Sequence, residues 1–129
     1  DRSRGLGDVY KRQDIVKAET IIKPWGKEEI LANTGKYVMK RITINPGSRM
    51  SLQYHEIKEE TIYVIEGVLI NWKTEEMQDH FTLMPGETYH VKPGVVHRFG
   101  SPNEMKTVII ECSTTELDDV VRLADDYDR

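Results

Sequence analysis

Turn-forming residues cut this chain into segments too short for ordinary helices. Asn33-Thr34-Gly35, Asn45-Pro46-Gly47, Pro85-Gly86, Lys92-Pro93-Gly94 and Ser101-Pro102-Asn103 recur through it. Proline presets one turn dihedral, glycine permits positive φ, and asparagine bonds back to its own backbone. The segments between are rich in Val, Ile, Thr and Tyr and read as about nine short strands, the last near Thr107 to Cys112. From Tyr37 to Ile44 the alternation is clearest: Val38, Lys40, Ile42 and Ile44 share one face, and Tyr37, Met39, Arg41 and Thr43 the other. Many short strands punctuated this way predict an all-β fold, a barrel or sandwich. A length of 129 residues suits one domain.

Both ends depart from that pattern. Residues 1–13, DRSRGLGDVYKRQ, are polar and without period, and GLGDVYKRQ resembles the translation of a sequencing adapter. They are expected to be a foreign or disordered arm, leaving residues 14–129 as the domain. Beyond Thr114 the chain is acidic, with Leu117, Val120, Val121 and Leu123 near helical spacing. That spacing predicts a short helix or an extended flap. Asp118, Asp119, Asp125 and Asp126 read as a solvated face.

Charge and cysteine usage narrow the function classes. A net charge of −4 gives no basic footprint, which argues against nucleic acid as a partner. No apolar run approaches a membrane span and no leader pattern is visible, so a cytoplasmic, membrane-free protein is expected. The single cysteine, Cys112, rules out an internal disulfide and suits a reducing compartment. Beside Val108-Ile109-Ile110 it is expected to be a buried, inert thiol.

The chemistry gathers in PGSRMSLQYHEIKEETIYVIEG, from Pro46 to Gly67. Gln53 and His55 stand two apart on a strand, so both aim at one face. Glu60 would join them from the start of the next strand, and the distant His97 would complete a mononuclear metal pocket. Two imidazoles, an amide oxygen and a carboxylate form a mixed N/O set that suits zinc first, and also Mn(II), Fe(II), Co(II) or Ni(II). For each histidine the plainer alternative is a core ring with satisfied hydrogen bonds. Gln53 is the softest member, because an amide is a weak ligand.

Two spacings give the pattern a family likeness. Gly47-x5-Gln53-x-His55-x4-Glu60-x6-Gly67 resembles the first motif of the cupin superfamily, with glutamine where its first histidine usually stands. Gly86-x5-Lys92-x-Gly94-x2-His97 resembles the second motif. More narrowly, PGSRMSLQYH resembles the PG-x3-SLQ-x-H segment of cupins that isomerise mannose 6-phosphate. These include the C-terminal domain of bifunctional mannose-1-phosphate guanylyltransferases. KPWGKEE, Pro93-Gly94-x2-His97-Arg98 and the closing IIECSTTELDDVVRLADDYDR are similar to further segments of that domain. The likeness departs at Glu56 to Ile62, where that family carries several histidines followed by Arg-x-Glu-His-Trp. No stretch resembles the nucleotidyltransferase domain, so guanylyl transfer is not expected of these residues.

The resemblance implies a single-domain cupin, a double-stranded β-helix or jelly-roll barrel. It also implies a metal-dependent isomerase converting mannose 6-phosphate to fructose 6-phosphate, with a small-molecule sugar phosphate as partner and a homodimer by analogy. Isomerisation needs a polarised carbonyl, a base between adjacent carbons, and a cation for the phosphate. His90, Lys92 and Glu111 are the candidates for the base, and Arg98 for a cation at the pocket or its rim. Lys40 and Arg41 lie on opposite faces of one strand, so at most one looks inward. His80 reads as solvated. The alternatives are another metal-cupin enzyme, such as an Fe(II) small-molecule dioxygenase, or a non-catalytic sugar-binding cupin.

Overall fold

A computed structural model describes residues 15–129. The expected arm at 1–13 lies outside the described residues. Eleven strands follow in order: β1 (Glu19–Lys23), β2 (Gly26–Asn33), β3 (Val38–Ile44), β4 (Leu52–Tyr54), β5 (Glu60–Glu66), β6 (Leu69–Trp72), β7 (His80–Leu83), β8 (Thr88–Val91), β9 (Arg98–Gly100), β10 (Thr107–Ser113) and β11 (Val121–Ala124). Their pairings are antiparallel.

One layer is a six-stranded sheet in the order β1-β2-β3-β10-β5-β8. The other joins β7-β6-β9 to the pair β11-β4 through the bridges Arg49↔Gly100 and Gln53↔His97. Between the layers lies the core: Ile42, Ile44, Ile62, Val64, Val91 and Ile109 meet Leu69, Leu83 and Phe99 from the opposite side, with Trp25 beside them. Each fully buried aliphatic side chain contributes about 2 kcal/mol of hydrophobic stabilisation. The alternation read from Tyr37 to Ile44 is realised, since Val38, Ile42 and Ile44 are buried and Arg41 is exposed.

Gly67 closes the turn between β5 and β6 at φ 80°. A Cβ there would stand 2.3 Å from the Lys106 carbonyl oxygen, so both the dihedral and the space demand glycine.

The tail takes one of its two expected forms, and the expected burial of Cys112 is corrected. Among the described residues no helix forms, and the tail takes the extended alternative as β11, paired with β4. The unpaired amides and carbonyls along β4 offer hydrogen bonds that a helix packed by a few apolar side chains would leave unmade. Leu117 and Leu123, which a helix would bury, are 41% and 49% exposed. Cys112 is exposed as well. Ile109 and Glu111 take the inward positions of β10, and strand parity turns Cys112 outward.

Candidate metal centre

Antiparallel register brings the ligand candidates together. Gln53 lies directly opposite His97, each accepting the other's backbone amide at 2.9–3.0 Å. Opposite residues share a face, and so do residues two apart; Gln53, His55 and His97 therefore point to one interior. Glu60 enters from the facing sheet at the first position of β5. The imidazole Nε2 atoms of His55 and His97 stand 3.3 and 3.1 Å from the same Glu60 carboxylate oxygen. All three residues are buried, and one ligand atom from each lies within 4.8 Å of the others.

Hydrogen bonding on the far side of each ring fixes what these atoms offer. The Nδ1 of His55 bonds the Asp119 carbonyl at 2.5 Å, and that of His97 the Val95 carbonyl at 3.0 Å. A carbonyl only accepts, so each Nδ1 carries a proton, and each ring turns its Nε2 toward Glu60. Neither Nε2 has a hydrogen-bond partner, and neither does the second Glu60 oxygen. With both rings neutral, acceptors face acceptors in a buried site. A proton on one ring would relieve one of these contacts; a single divalent cation would satisfy both Nε2 atoms and the Glu60 oxygen that faces them. The donor set of two imidazoles and a carboxylate, without thiolate, fits zinc or another borderline divalent ion.

A cavity of about 120 Å³ opens in front of this cluster, lined by Gln53, His55, Lys58 and Glu111, with Glu28 and Lys40 further along. Lys58 was not legible as a site residue, yet its ammonium is buried 3.5 Å from Glu60 and 3.8 Å from Glu111. Burial works against its charge, but Glu111 and Glu60 outweigh that and raise its pKa. Burial and the neighbouring Glu60 carboxylate push the Glu111 carboxyl well above the usual range. Burial would raise Glu60 too, but contact with Glu111, both imidazoles and Lys58 holds it well below. One carboxyl is thus held charged and the other biased toward its protonated form. Of the cations on β3, Lys40 turns inward and pairs with Glu28 at 3.1 Å.

The remaining candidates separate. Gln53 lines the cavity, with its side-chain oxygen accepting from Ser51 Oγ at 2.6 Å. Glu111 lies in the cavity wall. Arg98 is buried away from the cavity, donating to the Met50 carbonyl at 2.8 Å and to Asp126 at 3.1 Å. It follows His97 directly, and adjacent strand residues face opposite ways. His90 and Lys92 are exposed and do not line the cavity; His90 bonds the Thr61 hydroxyl on the outer face. His80 is exposed, as read.

Comparisons with known proteins agree with this geometry. Residues 10–125 match the family described as mannose-6-phosphate isomerase C-terminal. A mannose-1-phosphate guanylyltransferase of Escherichia coli is 33% identical over 95% of this chain and 27% of its own length. The chain spans about a quarter of the curated relatives it matches. Among solved structures, the polyketide cyclase RemF of Streptomyces resistomycificus superposes with a TM-score of 0.70 at 20% identity, covering 85% of this chain and 81% of that one. A sugar phosphate isomerase of the cupin superfamily from Silicibacter pomeroyi gives 0.62 at 19% identity, covering 79% and 73%. At these identities the structural likeness speaks for the fold, the double-stranded β-helix of the cupins.

Proposed function

Because the chain belongs to the mannose-6-phosphate isomerase C-terminal family, we propose that it is a metal-dependent sugar-phosphate isomerase interconverting mannose 6-phosphate and fructose 6-phosphate. One observation carries the reading: His55 and His97 turn Nε2 atoms without hydrogen-bond partners toward one buried Glu60 carboxylate oxygen, beside a polar cavity. A divalent ion held there would polarise a sugar carbonyl and steady the negative charge that develops on its oxygen.

The chain's own residues supply the rest. Burial makes the Glu111 carboxylate a stronger base than an ordinary glutamate, which suits a group that, once ionised, takes a proton from one carbon and returns it to the adjacent one. Lys58 balances the two carboxyl groups and can donate hydrogen bonds to a sugar hydroxyl. Lys23 and Arg122 line the same cavity and would meet the charge of a phosphate. The layers exclude bulk water from Glu60 and His97, whose side chains are each 1% exposed.

The test uses metal-stripped protein reloaded separately with Zn(II), Co(II), Mn(II) or Fe(II), following fructose 6-phosphate formed from mannose 6-phosphate. Turnover that requires the metal and disappears in His97→Ala supports the reading. Stoichiometric metal binding with no turnover under any of the four ions sinks this substrate.

A further inference from the structure

Asp119 lies in the acidic tail, just before β11, yet it touches both the His55 ring and the loop that follows it. Its backbone carbonyl holds the Nδ1 proton of His55. Its carboxylate accepts three successive backbone amides, from Glu56 at 3.1 Å, Ile57 at 2.7 Å and Lys58 at 2.8 Å. Those three residues form the loop between β4 and β5, and Lys58 returns from it into the cavity. The same bonds, Lys58's foremost, hold the Asp119 carboxyl below its usual range. One residue thus ties the ring of a ligand to the loop that follows it.

We propose that Asp119 is a positioning residue for the metal centre: it fixes the His55 ring with Nε2 free to bind and sets the 56–58 loop that carries Lys58. The inference rests on the reading of His55, Glu60 and His97 as metal ligands. The carbonyl fixes the tautomer, and the carboxylate holds that carbonyl in place, because its three amide bonds anchor the turn to the loop. Other contacts of the loop region, Gly94 N–H to the His55 carbonyl and Thr114 N–H to the Glu59 carbonyl, lie to either side of these three amides. Asp126 provides the comparison: it also ties the tail to the barrel, but through Arg49 and Arg98, away from the ligands.

The experiment titrates metal-free wild type, Asp119→Ala, Asp119→Asn and Asp126→Asn with Co(II), read by its d–d absorption, and with Zn(II) against a chromophoric chelator. Wild type should bind one ion; failure of that arm overturns the metal reading itself. With wild type bound, Asp119→Ala should weaken affinity by roughly 10–100-fold, the usual cost of losing an outer partner of a ligand, and alter the Co(II) spectrum. Asp119→Asn, the variant to use if the alanine protein does not fold, retains one of the two oxygen acceptors but brings an NH2 against backbone donors; it should fall between. Asp126→Asn should lower thermal stability and leave affinity within twofold of wild type. Wild-type affinity and spectrum in the folded Asp119 variants, or equal losses in Asp126→Asn, would overturn the proposal.

Discussion

The Nε2 of His97 stands 3.1 Å from a Glu60 carboxylate oxygen while its other nitrogen is already committed to the Val95 carbonyl. With the ring neutral these are two buried acceptors, and a divalent cation shared between them would relieve the contact. Replacing either imidazole should therefore cost more metal affinity than disturbing an outer contact. His97→Ala and His55→Ala are each expected to weaken Zn(II) binding by more than about 100-fold in calorimetric titration. Binding within tenfold of wild type would place the ion elsewhere.

Lys58 offers a second measurement. Its ammonium is the counter-charge for Glu60 and lies 3.8 Å from Glu111, and removing one partner of a buried ionic group leaves the other uncompensated. Lys58→Met, which keeps the aliphatic stem, should destabilise the metal-free protein by about 3 kcal/mol at neutral pH in urea denaturation. A loss below about 0.5 kcal/mol would show that the ammonium is solvated in place.

The acid limb of stability should report Asp126. Its hydrogen bond to Arg49, with the charges of Arg98 and Arg49, holds the carboxyl below its ordinary value of 3.8. A depressed carboxyl adds stability that is fully present above 3.8 and is lost as pH falls through the lower folded-state value. Asp126→Asn should accordingly be less stable than wild type at pH 6. The two melting curves should converge below pH 3.8, and a gap that stays constant with pH would remove the ion pair from the account.

Much of this was readable from the sequence, and the limits are physical. The pairing of Gln53 with His55 and the closing Gly67 follow from strand parity and turn geometry, which are local. Lys58 was hidden because its direction is set by Asp119, far away in sequence. The acidic tail read as solvated, but Asp119, Asp125 and Asp126 hold loop amides, Arg129 and two further arginines. Near-helical spacing of four apolar residues could not show that β4 had an edge to offer. Exposed His90 and buried Arg98 differ by one question, which face the register presents, and composition does not answer it.

Cys112 gives the simplest check on that register. Its thiol is on the outer face of the six-stranded sheet, so a disulfide reagent should modify one thiol per chain without denaturant, and metal content should be unchanged. A thiol that reacts only after unfolding would contradict the orientation of β10.

The β11–β4 pairing has a consequence for how the protein is made. A chain leaving the ribosome exposes Gln53, His55 and Glu60 well before His97 is synthesised, and the carbonyl that steadies His55 comes later still, at Asp119. The cluster of His55, Glu60 and His97 is therefore complete, with the His55 ring held in place, only once the last strand has docked against β4.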